Sequence, residues 1–483
     1  MTRRSQARAL LRSSEPTATY TDLENPLILG ESRKLALVDK SPYTPGAGHN
    51  PPVLAGRDGL LRDWHLVLND IVAGGRVRAQ DMILSGPRGV GKTVTVSAFA
   101  DLAKEQGFEV VNLQAVSGHA GLVEALLQRA RTRMAEEAGP WQRARKAFER
   151  IGGVNLSIAG IGAGISTHQS DAAAPGLDAG TLADALATLA SEVRKDAHSG
   201  GLLITVDELQ VASRPDLALL AATLHRLNVD HPSAPVLFAG TGLPFTPDAL
   251  RKAGVTHPDR LFVLEPIPLT LEPDDARYAV VEPARQAGVA WTPEAAAAVV
   301  EASNGYPAHL QLFAHAIWTS APGPDQITLG DVEAALPQVA DMLERRTLGP
   351  RWDRISDRQM EFLAALALHG GRASTAAIAK TLSRSQQELS WLREELIEEG
   401  DVYAPKRGQL AMAVPLFNRY VLSHYERTRP EAATELLSLQ KMIANAGLNP
   451  SAAHAGRDML RRSEQNETRQ LPPPGGGSAR PHS

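Results

Sequence analysis

The residues Gly86-Pro-Arg-Gly-Val-Gly-Lys-Thr93 occupy every fixed position of the pattern GxxxxGK[ST]. Glycine at Gly86, Gly89 and Gly91 lets the backbone take positive φ, so successive N–H groups can point into one anion-sized hollow. The pattern follows the apolar run Met82-Ile83-Leu84 and opens a helix-like stretch from Val94 to Leu102, whose positive dipole end would stand behind that hollow. Gly86, Pro87, Arg88, Gly89, Val90, Gly91, Lys92, Thr93 and Val94 are therefore the candidate phosphate cradle. Lys92 would reach the β- and γ-phosphates of a nucleotide, and Thr93 would offer its hydroxyl to Mg²⁺.

Breaking a phosphoanhydride also needs a metal anchor and a group that orients water. Leu202-Leu-Ile-Thr-Val-Asp-Glu208 is apolar for most of its length and ends in two carboxylates, the pattern of a strand buried on both faces. Ligands of open α/β sheets bind outside the carboxyl ends of the strands. Asp207 is thus placed to hold Mg²⁺ opposite Thr93, and Glu208 to polarise the attacking water. Pro235-Val-Leu-Phe-Ala-Gly-Thr241 is a second buried-strand pattern with a polar end. Thr241 can bond a γ-phosphate or the water there, or simply shape the turn Gly240-Thr-Gly-Leu-Pro244.

The elements that must position these groups alternate between strand and helix. Apolar residues from Leu60 to Val72 recur at helical spacing before the first strand, Val110 to Leu113 is a second strand, and Gly118 to Arg150 holds one or two amphipathic helices. Helical periodicity returns over 182–197 and 215–228, and Leu261 to Leu264 supplies a last strand. The expected fold is α/β, a parallel sheet with helices on both faces spanning a nucleotide domain at 51–268. Within it, 152–166 alternates in two registers around Gly160, which fits an inserted β-hairpin or a glycine-rich loop. Residues 269–348 show only helical periodicity and form an all-α region. Residues 353–427 give three helices, at 357–368, 375–382 and 385–399, then a hairpin around Lys406-Arg407-Gly408, which is a winged helix-turn-helix pattern. The segments 1–50 and 446–483 are polar or rich in Pro and Gly, and are expected to be disordered, with order beginning near Val53.

Composition narrows the alternatives. A chain of 483 residues is too long for one ordinary core, and 43% hydrophobic with 22% charged residues is typical of a soluble globular protein. The chain has no cysteine, which excludes disulfides, thiolate nucleophiles and Cys-ligated zinc, and is compatible with a reducing cytoplasm. Four arginines before Pro16 describe a basic arm or imitate a transit peptide. No stretch of 18 uninterrupted apolar residues is present, so a cytoplasmic protein without a membrane span is expected.

The chain resembles an AAA+ P-loop ATPase of the branch containing origin-recognition-like and archaeal STAND-related ATPases. The matching features are Leu54-Ala-Gly-Arg-Asp58, Gly86 to Thr93, Val206-Asp-Glu-Leu209, Gly240 to Pro244, Pro258-Asp-Arg-Leu-Phe262, Ser303-Asn-Gly-Tyr-Pro307 and the winged helix, covering residues 53–425. The resemblance implies ATP and Mg²⁺ as cofactors and ATP hydrolysis as the activity. It places Gly56 and Arg57 beside the adenine, makes Thr241 a sensor of the γ-phosphate, and makes Arg260 a finger on a neighbouring subunit's nucleotide in a homo-oligomer. It also makes 269–348 a lid. The chain departs from the family where the lid usually carries an arginine: Ala308 stands there, followed by His309.

The partner of the winged helix stays open between DNA and protein. Residues 353–425 carry nine Lys/Arg and nine Asp/Glu, and 385–399 carries five glutamates against Arg393. Phosphate neutralisation supplies most nonspecific affinity for DNA, so this balance argues against strong binding. Arg384, Gln386 and Gln387 at the helix start, with Lys406 and Arg407 at the wing tip, are nonetheless the residue types that meet bases and phosphates.

Overall fold

The computed structural model describes residues 40–46, 48–74, 81–116, 121–135, 139–149, 178–195, 200–320 and 325–446. The inserted hairpin expected at 152–166 lies outside these residues, as do most of the two terminal segments.

Five parallel strands form the central sheet: β1 (Met82–Ser85), β2 (Glu109–Gln114), β3 (Leu202–Asp207), β4 (Val236–Gly242) and β5 (Val263–Pro266). They run in the order β2-β3-β4-β1-β5. Two of them, β3 and β4, stand between β2 and β1 and are buried almost throughout, as their largely apolar runs require. One face is covered by α1 (Asp58–Val72) and α2 (Lys92–Glu105), joined where Trp64 stacks on Phe99 at 4.5 Å. The other is covered by α3 (Leu122–Ala135), α4 (Pro140–Glu149), α5 (Ala179–Arg194) and α6 (Arg214–Asp230), whose Leu, Ala and Val side chains form a core of their own. Two short helices, α7 (Thr246–Lys252) and α8 (Pro258–Leu261), lead into β5. The last strand thus starts two residues later than its apolar run suggests, because Pro258 fixes a helical turn that Leu261 closes.

The helical region comprises α9 (Pro273–Gln286), α10 (Pro293–Ser303), α11 (Pro307–Ser320) and α12 (Leu329–Leu343), with a two-stranded clip of β6 (Ala290–Trp291) and β7 (Gln326–Ile327). Proline begins three of these helices, where its missing N–H costs nothing. A π-turn at Glu344–Leu348 and the short α13 (Gly349–Trp352) connect to the C-terminal module. There α14 (Asp357–Leu368), α15 (Thr375–Thr381) and α16 (Ser390–Glu398) pack with an antiparallel sheet of β8 (Arg372–Ser374), β9 (Val402–Tyr403) and β10 (Gln409–Met412), followed by α17 (Phe417–Thr428) and α18 (Pro430–Ala446). One connected set of buried apolar side chains runs from the α1/α2 face through the helical region into this module.

Two sequence expectations need correction here. The third helix of the C-terminal module begins at Ser390 rather than Ser385, because the Ser385 hydroxyl and N–H both bond Glu388 and hold a separate turn. Order also begins before Val53. Although the described residues of 41–50 form no helix or strand, Tyr43 is 2% exposed, donates to the Val280 carbonyl and accepts from the Trp291 indole at 2.9 Å. Its ring lies edge-on to Trp291 and Trp318, inside the helical region.

Candidate functional site

The phosphate loop sits at the carboxyl end of β1. Gly89 (φ 77°) and Gly91 (φ 92°) are left-handed, so the loop needs glycine at both. Gly91 is the N-cap of α2, and Lys92 and Thr93 form its first turn. The Arg57 guanidinium donates to the Val90 carbonyl at 2.9 Å and buttresses the loop from below. Gly56, at φ 69°, has Asp275 and Leu271 so close that a β-carbon would meet them at 2.9 and 3.2 Å. The pair Gly56-Arg57 therefore lies where the helical region closes on the sheet, between the loop and α9.

Lys92 is 5% exposed. Among the described residues its ammonium donates only to the Pro87 carbonyl, at 2.8 Å. Burial pushes its pKa down to about 8, opposed by the charges of Glu208 and Asp207. A buried ammonium with protons to spare, in a glycine loop at a helix N-terminus, is a site built for an anion.

Opposite it, the Thr93 hydroxyl lies 3.1 and 3.0 Å from the two Asp207 carboxylate oxygens. Thr241, fully buried, donates its proton to Asp207 as well and accepts the Glu208 N–H at 3.0 Å. The Thr241 hydroxyl is thereby committed to holding the strand-end carboxylates. Glu208 takes the left-handed conformation at φ 58°, which turns the chain sharply off β3. Its carboxylate accepts from Gln210 Nε2 at 2.5 Å, and Gln210 Oε1 in turn accepts the Leu243 N–H at 3.0 Å. Parallel pairing of β3 with β4 and of β4 with β1 brings these residues together. The oxygen donors Thr93 and Asp207 suit Mg²⁺, which binds few protein ligands and completes its shell with water and phosphate. Among the described residues, no cluster of three or more His, Asp or Glu offers a rival metal site.

The structure does not bring Arg260 to this site. It lies on α8, exposed, before the amino end of β5, where the Val263 N–H bonds the Asp81 carbonyl ahead of β1, at the end of the sheet opposite the loop. His309 is not at the phosphates either: it is 1% exposed, stacked on Phe313 and edge-on to Tyr306, with both ring nitrogens unpartnered. Burial, with Arg351 nearby, pushes its pKa down to about 3, so it is neutral at physiological pH. Two residues escaped the sequence reading. Gln210 has no motif to announce it, two positions beyond the carboxylate pair. Tyr306 belongs to the Ser303–Pro307 turn, and its hydroxyl donates to the Arg88 carbonyl within the phosphate loop itself.

Comparison with known proteins agrees with this geometry. Residues 53–238 match the family model described as AAA ATPase domain, and residues 345–421 match one described as a domain of unknown function. No curated protein sequence matches. Among solved structures, a Walker-type ATPase of Pyrococcus abyssi is similar over 80% of this chain and 99% of its own, at 18% identity and a TM-score of 0.51. The ORC2 protein of Aeropyrum pernix aligns over 83% and 98% at 14% identity and a TM-score of 0.48. The RuvB Holliday junction branch migration motor of Thermotoga maritima aligns over 78% and 95% at 14% identity and a TM-score of 0.38. The phosphate loop and the carboxylate pair therefore lie within a stretch that matches an AAA ATPase domain, in agreement with the resemblance read from the sequence. No helix among the described residues is long and apolar enough to cross a membrane.

Proposed function

We propose that this chain binds ATP with Mg²⁺ at the ends of β1, β3 and β4 and hydrolyses it to change the arrangement of its lid and winged helix. The observation that carries this reading is the shared bonding of Thr93 and Thr241 to Asp207, with Lys92 buried beside them. Lys92 and the loop N–H groups would hold the β- and γ-phosphates, and Thr93 and Asp207 the metal, which supplies neutralisation of charge on the transferring phosphoryl group. Glu208 would orient water and take its proton. Thr241 and Gln210 act through Asp207 and Glu208 as positioning residues, since neither faces the loop freely. Gly56 and Arg57 would flank the base, at the closure of lid and sheet. Arg260 would act only on the nucleotide of a neighbouring copy, consistent with its place at the far end of the sheet.

His309 favours slow turnover. A neutral, stacked imidazole cannot replace the cation that Ala308 leaves out, so lid closure brings no positive charge to the phosphates. The product is a conformational state of the winged helix. Its α16 presents Trp391, Glu394, Glu395 and Glu398 in one exposed stripe, at spacings of three and four residues. Three carboxylates on the face that would enter a groove favour a protein partner over DNA.

Steady-state hydrolysis by wild type and Glu208→Gln tests the reading. The substitution should lower kcat by about 10²- to 10⁴-fold, the usual worth of general-base catalysis, while ATP still binds. Equal turnover in both proteins would refute hydrolysis at this site.

A further inference from the structure

Arg88 occupies a variable position of the phosphate loop, yet three parts of the molecule meet on it. Its carbonyl accepts the Tyr306 hydroxyl from the turn before α11. Burial pushes that phenol up to about 12, so it stays protonated and can only donate here. The Tyr306 ring also fills the space beside Gly89, where a β-carbon would collide with it. Meanwhile the Arg88 guanidinium reaches the other way and donates to the Glu399 carbonyl of the C-terminal module at 3.3 Å.

That carbonyl belongs to a turn, Glu399-Gly400-Asp401, which is fastened on every side. Gly400, at φ 78°, lies so close to the sheet domain that a β-carbon would sit 3.4 Å from Leu243 and 3.8 Å from Arg88. Asp401 is fully buried and pairs with Arg351 and Arg354 of the connector, each at 2.7 Å. Just before the turn, Glu398 lies 3.6 Å from Lys252 on α7. A cavity of about 120 Å³ opens beside the turn between Pro87, Leu243, Phe245, Ile397 and Tyr403, so the two domains touch at the turn without a filled interface.

We propose that Arg88 couples phosphate binding to docking of the C-terminal module: phosphate in the loop draws the Arg88 guanidinium away from Glu399 and releases the turn. The bond it would leave is long and ends on a neutral carbonyl. A phosphate carries the opposite charge and can accept two guanidinium N–H groups at once, whereas the carbonyl is neutral and accepts one. The competition therefore runs toward the phosphate, and by reciprocity a docked module lowers affinity for ATP. Tyr306 holds the loop backbone at the same residue, so the guanidinium can swing while the loop keeps its path. This inference rests on the ATP-binding reading above.

The chain has no cysteine, so two can be placed and spin-labelled without background. Labels at Asp248→Cys and Glu394→Cys, both exposed, report the gap between α7 and α16 in the full-length protein. Saturating Mg²⁺-ATP should lengthen that distance in the otherwise wild-type protein, and Arg88→Ala should show the longer distance without nucleotide. Gly400→Val, which pries at the turn from outside the loop, and Lys252→Glu, a surface change that leaves the fold intact, should each tighten ATP binding in calorimetry, by roughly tenfold and roughly twofold. A merely structural contact would not raise affinity. If ATP fails to bind the wild type in calorimetry, the ATP reading itself falls. If it binds but the distance stays fixed, or Arg88→Ala keeps the short distance, the coupling is wrong and the ATP reading stands.

Discussion

At the ends of β1, β3 and β4 the charged and polar groups are gathered in one place, half-buried or buried and hydrogen-bonded, whereas in the C-terminal module the residues suited to DNA lie exposed and apart. Asp207, Glu208 and Thr241 are joined with Thr93 by hydrogen bonds, and Lys92, bonded to the Pro87 carbonyl, feels the charge of both carboxylates. Arg384 is instead paired with Glu361 at 3.0 Å, Gln386 and Gln387 sit in a turn ahead of α16, and Lys406 and Arg407 stand at an exposed hairpin tip. The buried charge of the module, Asp401, points toward the connector and not to a ligand. Convergence of this kind supports the proposed site for a bound group, and the module shows none among these residues.

The sharpest break of this contrast is Asp401→Ala. Removing one partner of a buried ion pair typically costs about 3–5 kcal/mol, and Arg351 would lose its buried anion. We expect denaturant unfolding to show a loss of that order, with ATP affinity not reduced. A drop in ATP affinity would mean that Asp401 serves the nucleotide site after all.

Lys92→Ala comes next, expected to weaken ATP binding at least 100-fold, or about 2.7 kcal/mol, in calorimetry. Unchanged affinity would remove the buried ammonium from the phosphate cradle. Thr241→Val keeps the shape of the side chain but takes the proton from Asp207 and the acceptor from the Glu208 N–H. It should lower kcat by about 10- to 100-fold with little change in KM, the mark of a positioning role.

Two buried titrating groups give smaller effects of opposite sign. Burial pushes Asp81 up to about 7, against the Phe238 N–H that bonds it at 3.0 Å. The native state then holds a proton between about pH 4 and 7 that the unfolded chain has lost, so this term weakens stability as pH rises through that window. His309, pushed down to about 3, does the reverse: the unfolded chain takes up a proton below about 6.5 that the native state refuses, and stability falls with acid. The two slopes offset each other from about pH 4 to 6.5. Asp81→Asn should raise stability at pH 8 by about 1–3 kcal/mol and leave a profile that falls toward acid, while His309→Phe should leave one that falls toward neutral pH. Thermal melts across pH 4 to 8 check both slopes.

The smallest effect belongs to the hairpin tip. With the acidic stripe on α16, duplex binding should stay near the nonspecific range of about 10⁻⁴–10⁻⁶ M. Lys406→Ala with Arg407→Ala should change the salt slope by no more than about two. Tight, sequence-selective binding would make the module a second converged site and dissolve the contrast.

The same division explains what the sequence discloses. The loop was legible because anion binding by backbone demands glycine at particular places, and Gly89 and Gly91 carry that demand in their φ angles. Strands β3 and β4 were legible because burial on both faces leaves a largely apolar run before Asp207 and Thr241. Gln210, Tyr306 and the partner of Arg88 were not, because each acts through a contact set by tertiary closure, which no spacing encodes. The late start of α16 was hidden for a local reason: Ser385 satisfies its own turn with Glu388, a choice that helical periodicity cannot distinguish from a cap.

Tyr43 has a practical bearing on experiments. Because its hydroxyl is fixed between Val280 and Trp291, the first described stretch of chain is anchored on the helical region rather than on the sheet. A fluorophore, affinity tag or fused reporter joined just ahead of Lys40 would be carried by the helical region. Paired with a probe on α6, it would read that region's travel over the sheet from outside the nucleotide site.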